Sequence, residues 1–251
     1  MSRRKSAKEL DIIEPGKILV AWRQLQDFIT LHFRQVAAVG LIVLVVAAGI
    51  GLWQYQRVQA EQEAYGLFFA AMDRFNSNEK PAAGTDAQPA QGTHYQEALQ
   101  QFKKIIEQYP QTTAGTTALF YAGACSYELK QDDDALGFYQ EFLKKTSREQ
   151  NYLRPAAYEG IGYVYERRGD YKQAREWFEK QKNEAGEALA IMALLNLART
   201  HAALGEREKA CACYKEFVDK YPSSSFAETA RIGVSEFCSS PAAAPEQKPA
   251  P

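Results

Sequence analysis

The stretch YEGIGYVYERRGDYKQAREWF, residues 158–178, decides how this chain folds. Tyr158, Ile161, Gly162 and Tyr165 recur at the three- and four-residue spacing of a single helical face. Gly169 and Asp170 then break the pattern, glycine ending a helix at little cost and aspartate capping the next one. Ala174 and Phe178, four residues apart, resume the pattern in a second helix. The stretch therefore reads as a helical hairpin, with small residues where its helices approach and large ones filling the space between them.

Working outward, an alanine with an aromatic four residues later recurs along the chain: Ala98 with Phe102, Ala135 with Tyr139, Ala174 with Phe178, and Ala210 with Tyr214. The steps from 98 to 135, 135 to 174 and 174 to 210 are 37, 39 and 36 residues. The pattern resembles the tetratricopeptide repeat (TPR), whose ideal length is about 34 residues, with loop insertions absorbing the surplus. A second unit reads ALFYAGACSYELKQDDDALGFYQEF from Ala118 to Phe142, with Gly123 and Tyr127 in the close-contact and aromatic roles. A third, LLNLARTHAALGEREKACACYKEFVDKYP from Leu194 to Pro222, has Ala198 in place of the glycine, His201 at the aromatic position and Gly205 at the turn.

The first unit is the least regular. Its leading helix, about Gln56 to Phe75, is parted from YQEALQQFKKIIEQYP by an insert rich in Pro, Gly, Ala and polar residues, expected to be a flexible loop over 76–93. Pro110 and Pro222 each fall 12 residues after a marker alanine and repeat one stop signal, Tyr-Pro. A last amphipathic helix, about Ser224 to Phe237 with Phe226, Ala230, Ile232 and Phe237, is expected to cap the stack, because an end repeat would otherwise leave its apolar face in water. The tail over 239–251, SSPAAAPEQKPAP, holds too few hydrophobic residues to pack and is expected to be disordered.

Upstream, VAAVGLIVLVVAAGIGLW from Val36 to Trp53 carries no charge and is long enough to cross a hydrocarbon core of about 30 Å as a helix. Trp53 and Tyr55 stand where amphipathic rings favour the headgroup level. Arg3, Arg4, Lys5, Lys8, Lys17, Arg23 and Arg34 precede the stretch, whereas Arg57 alone follows it before Arg74. The positive-inside rule then keeps residues 1–35 in the cytoplasm, makes 36–55 the transmembrane helix and exports the rest. A cleaved signal peptide has a core of about 7–15 residues near the N-terminus, so an uncleaved anchor is expected here. Ile18, Trp22, Leu25, Ile29 and Phe33 form an amphipathic helix before the span; it either lies on the membrane surface or extends the anchor.

The expected architecture is all-α: a single N-terminal transmembrane helix, then a TPR-like α-solenoid of about four helical hairpins plus a capping helix over 56–238. The net charge of -1 gives no electrostatic footprint for nucleic acid. Cys125, Cys211, Cys213 and Cys238 lack the paired spacing of a zinc or thioredoxin-like site. Cys211 and Cys213, two apart on a helix, point away from one another. Small buried or half-buried helix residues are the expected role of all four, with a disulfide as the alternative and its pairing open.

His32, His94 and His201 are too scattered to assemble a nucleophile, base and orienting acid, and His201 reads as a core residue. Asp132, Asp133 and Asp134 lack the alternation and central glycine of a calcium loop and are expected as an acidic N-cap before a helix beginning near Ala135. No catalytic, cofactor or metal site is expected, and the chain reads as non-enzymatic. By register, Phe120, Tyr127, Glu159, Tyr163, Glu166, Met192, Leu195 and Arg199 on the leading helices are the expected partner-binding groove, a mixture suited to an extended or helical peptide. The lysine and asparagine set that clamps a C-terminal carboxylate is not visible.

The basic N-terminal stretch, the anchor ending in GLWQYQ and the repeats with QYP and KYP helix ends together resemble the YfgM-type ancillary subunit of the SecYEG translocon. That resemblance implies a bacterial inner-membrane protein with periplasmic repeats, assisting the Sec translocon and periplasmic chaperones with exported chains. The repeats also resemble those of outer-membrane assembly lipoproteins and of a cell-division coordinator, which gives an envelope scaffold as the alternative. Proteins or peptides are the expected partners, and no small-molecule substrate is expected.

Overall fold

The computed structural model describes residues 15–77, 92–147, 152–184 and 186–239, and among them every regular element is a helix. In chain order these are α1 (Pro15–Leu31), α2 (Phe33–Asn76), α3 (Thr93–Gln108), α4 (Thr113–Glu128), α5 (Asp132–Lys145), α6 (Arg154–Arg167), α7 (Tyr171–Glu184), α8 (Glu187–Ala203), α9 (Arg207–Lys220) and α10 (Ala227–Cys238). The chain divides into two units between Val58 and Gln59. The expected loop over 76–93 and the tail over 239–251 lie almost wholly outside the described residues, as does the chain before Pro15.

In the first unit, α1 starts at Pro15, whose missing N–H is no loss in a first helical turn. The His32 N–H reaches the Phe28 carbonyl at 3.0 Å and the Val36 N–H reaches the His32 carbonyl at 3.0 Å, so helical bonding passes the break between α1 and α2. Leu41, Val43, Leu44 and Ile50 of α2 are all more than half exposed. A helix apolar on every side with no described residue packed around its apolar stretch is suited to lipid. The helix is long and apolar enough to cross a membrane.

In the second unit the leading helices are the end of α2, then α4, α6 and α8, and their trailing partners are α3, α5, α7 and α9. Each helix from α3 onward packs on the next, and leading helices also touch, α4 with α6 and α6 with α8. The marker alanines Ala98, Ala135, Ala174 and Ala210 are fully buried. Seven residues after them the trailing helices bury Ile105, Phe142, Gln181 and Phe217. Gln181 is the polar exception, and its Nε2 donates to the Leu189 carbonyl at 3.4 Å.

The small positions do what the sequence implies. A Cβ on Gly162 would lie 2.4 Å from the Phe178 ring, and one on Gly123 would lie 2.8 Å from the Tyr139 ring. Three hairpin turns share one hydrogen-bond pattern, in which Gln131, Asp170 and Glu206 donate backbone N–H groups to the carbonyls of Ser126, Tyr165 and His201. That bond needs a left-handed residue just before it. Gly169 at φ 77° and Gly205 at φ 73° supply it freely, whereas Lys130 adopts φ 60° in the second hairpin. Tyr109 and Tyr221 end their helices alike, with φ -130° at both.

Three expectations change. The acidic run is not an N-cap: α5 begins at Asp132 with Gln131 at the cap position, so all three carboxylates lie in the first turn. Asp132 pairs with Arg167, and Asp133 takes Arg168 at 2.7 Å, so the helix start is also a tie to α6. The last helix packs through Ala227, Ala230 and Gly233, with Phe237 stacked on Tyr214 at 5.9 Å, whereas Phe226 and Ile232 are 41% and 59% exposed. A close fit requires small side chains here: a Cβ on Gly233 would meet the Tyr214 ring at 2.6 Å. Finally, Cys211 and Cys238 form a disulfide with Cα atoms 5.0 Å apart, joining α9 to the end of α10, while Cys125 is a buried thiol and Cys213 a half-buried one.

Candidate functional site

Tyr163 and Arg199, 36 residues apart, stand at equivalent positions on α6 and α8, and Tyr127 on α4 stands at the position equivalent to Glu166. The rings of Tyr127 and Tyr163 lie 6.3 Å apart, and the Arg199 guanidinium sits 5.8 Å from the Tyr163 ring centre. Arg167 covers the other aromatic, 3.9 Å above the Tyr127 ring, and donates to the Tyr127 carbonyl at 2.9 Å. Two neighbouring aromatic rings, each with a guanidinium group at its face, thus span three leading helices.

Beneath them lies a polar network. Asn196 is fully buried, its Nδ2 donates to Glu159 Oε1 at 3.0 Å, and Arg199 Nη2 donates to its Oδ1 at 3.3 Å. The Tyr163 hydroxyl lies 3.1 Å from Glu159 Oε1 and donates to that carboxylate. Arg199 grips Glu166 with two bonds of 2.6 Å each. Its side chain is 49% exposed, so the pair contributes little stability and mainly orients the guanidinium. The Asn196 amide is engaged within the protein on both its nitrogen and its oxygen.

The network brings together Tyr127, Glu159, Tyr163, Glu166 and Arg199 of the expected groove. Phe120 instead turns into the second hairpin, 5.8 Å from the Tyr139 ring and 5.7 Å from Phe142. Leu195 is buried at 8% exposure in the cluster with Phe217, Ala227 and Ala230, and Met192 is half-buried in the first half of α8. Sequence reasoning missed Asn196 and Arg167. Asn196 had one signal, an amide inside the apolar run LLNLA.

Burial, with Glu159 adding to it, pushes the Tyr163 hydroxyl up to about 12, and burial likewise raises Tyr127 and Tyr158. A raised folded value favours the protonated, folded form. Its contribution is complete below the ordinary tyrosine value of about 10 and is lost as pH climbs through the folded value. The urea midpoint should therefore hold steady to about pH 9 and then fall toward about pH 12; a flat profile across that window would remove the burial assigned to these rings.

Across α5, α6 and α7, Tyr158 and Trp177 with ring centres 5.9 Å apart form an open depression with Leu143 and Lys180. Among the described residues, no group of three or more His, Cys, Asp or Glu is placed to hold a metal ion.

Residues 86–112, 117–145 and 192–224 match one tetratricopeptide-repeat model, and residues 145–188 match a second; together they span more than half of the chain. The chain belongs to the tetratricopeptide-repeat family. Members of this TPR family are protein-interaction scaffolds and are generally non-catalytic. Among solved structures, TPR-like repeats of a Podosopora anserina kinesin light chain align with TM-score 0.52 and 13% identity, over 70% of this chain and 85% of that one. MamA aligns with TM-score 0.45 and 19% identity, over 54% of this chain and 68% of its own. PilW, a type IV pilus biogenesis factor, aligns with TM-score 0.48 and 18% identity, over 55% of this chain and 60% of its own. At such identities the likeness concerns the fold alone. No curated protein matches the sequence.

Proposed function

We propose that this TPR protein is a non-enzymatic, membrane-anchored adaptor that binds exported protein chains on its leading-helix face and assists the Sec translocon and periplasmic chaperones. The observation that carries the binding role is the belt of Tyr127, Tyr163 and Arg199 with its buried amide support, because rigid aromatic and arginine side chains are the usual anchors of protein interfaces. The apolar span of α2 supports the anchor, and the basic residues before it support an N-terminus in the cytoplasm with the repeats outside the inner membrane. The Cys211–Cys238 bridge agrees with that side, since disulfides persist in oxidising compartments such as the periplasm. The Sec assignment rests on the layout shared with the YfgM-type subunit.

A photocrosslinker at position 163 in intact cells should capture translocon components or exported chains. In the same cells, protease added to spheroplasts should digest the repeats and spare the N-terminal segment. Capture of neither class removes the Sec role, and protected repeats reverse the topology.

A further inference from the structure

The helix that opens the solenoid has a face that no described residue of its own unit covers. From Gln59 onward, α2 turns Ala64, Phe68 and Ala71 into the core with α3 and α4. Tyr65 and Phe69, with rings 6.3 Å apart, lie on a separate stripe and are 37% and 68% exposed. In an inner repeat the preceding hairpin covers such a stripe, as α4 and α5 pack on α6. No hairpin of the second unit precedes α2.

The sequence indicates what fits there. Tyr55, Val58, Gln62, Tyr65 and Phe69 follow the alternating three–four spacing of a coiled-coil seam, and the same spacing runs back through Leu41, Leu44, Ala48 and Gly51. Small residues such as Ala48 and Gly51 allow close helix approach in lipid, where apolar burial gives no drive of its own. The seam holds no charge, so a charged partner would bury an ion without a counter-ion. Its one polar residue, Gln62, has a donor and an acceptor on one amide and can satisfy an identical residue, as a lone polar seam residue does when it sets register. In a parallel in-register pair, Gln54 would flank the second copy's Gln59 and Glu61 its Gly66, so no like charges meet. Glu61 is already engaged, accepting the Thr113 N–H at 2.9 Å.

We infer that α2 pairs in parallel with α2 of a second copy, making the protein a homodimer whose seam in the repeat unit runs through Gln62, Tyr65 and Phe69. The pairing rests on the anchored reading, because insertion in one bilayer holds all copies in the same orientation and raises their local concentration.

The test uses the full chain with Cys125→Ala and Cys213→Ala, keeping the Cys211–Cys238 bridge, and adds either Tyr65→Cys on the seam or Ala70→Cys, exposed on another face. After extraction in mild detergent and gentle oxidation, Tyr65→Cys should give on the order of tenfold more reducible dimer than Ala70→Cys. Adding Phe69→Glu to the seam variant should cut the yield to the Ala70→Cys level while the helical circular dichroism is kept. Equal yields at the two positions, no dimer at either, or an adduct with a different protein each overturn self-pairing. Oxidation in detergent does not depend on which side of a membrane the cysteine occupied, so these outcomes leave the topology to the protease experiment.

Discussion

Phe178→Ala should lower the unfolding free energy of the repeat unit by about 3–5 kcal/mol, read as a shift in the urea midpoint of the full chain in mild detergent. The side chain is fully buried, and around it stand Tyr163, with ring centres 5.6 Å apart, and the helical backbone at Gly162. These groups lie on the rigid helix α6 and cannot collapse fully into the vacated space, so a cavity cost adds to the lost transfer energy. The reciprocal substitution identifies the contact. Gly162→Ala would place its Cβ 2.4 Å from the ring, so steric overlap should outweigh the gain in helix propensity and destabilise the protein by about 1–3 kcal/mol. In the Phe178→Ala background the overlap is gone, and Gly162→Ala should become neutral or stabilising by up to about 1 kcal/mol. Additive effects would mean that this close approach does not join the two helices of the hairpin.

That contact shows which parts of the fold can be read in one dimension. Gly162 and Phe178 are 16 residues apart on adjoining helices, and a glycine facing an aromatic at fixed offsets announces a close approach from residue order alone. The turns at Gly169 and Gly205 are legible for the same local reason, both glycines holding the left-handed conformation the turn requires. Features set by distant partners are not. The Asp132 and Asp133 side chains look like capping groups until α6 brings Arg167 and Arg168 beside them. On α10 the large residues suggest the buried face, whereas the smallest residue, Gly233, makes the contact with Tyr214. The disulfide follows from α9 and α10 lying side by side, a relation that cysteine spacing does not contain. In the groove, reading along the leading helices finds Tyr127, Tyr163 and Arg199, but Phe120 belongs to the hairpin core and Asn196 emerges only when Glu159 is placed against it.

The double substitution Tyr127→Ala with Tyr163→Ala should reduce the amount of partner protein that copurifies in mild detergent by about 30-fold or more, the effect of losing at least 2 kcal/mol from an interface hot spot. Both rings are half-buried, already ordered and backed by a guanidinium group, so little conformational freedom remains to be lost when a partner docks on them. Their removal leaves Arg167 and Arg199 without the aromatic faces that position them, though Arg199 keeps its two bonds to Glu166. Two controls separate binding from folding. Phe226→Ala with Ile232→Ala removes exposed apolar surface from the capping end and should leave capture unchanged, which distinguishes a specific groove from general stickiness. Tyr163→Phe keeps the ring and loses only the hydroxyl's contacts with Glu159 and Asn196, so most capture should survive, showing that ring area rather than the polar tip anchors the partner. If the double alanine variant folds and still captures its partners at the original level, the belt is not where they bind, and the aromatic depression formed by Tyr158 of α6 and Trp177 of α7 becomes the surface to test.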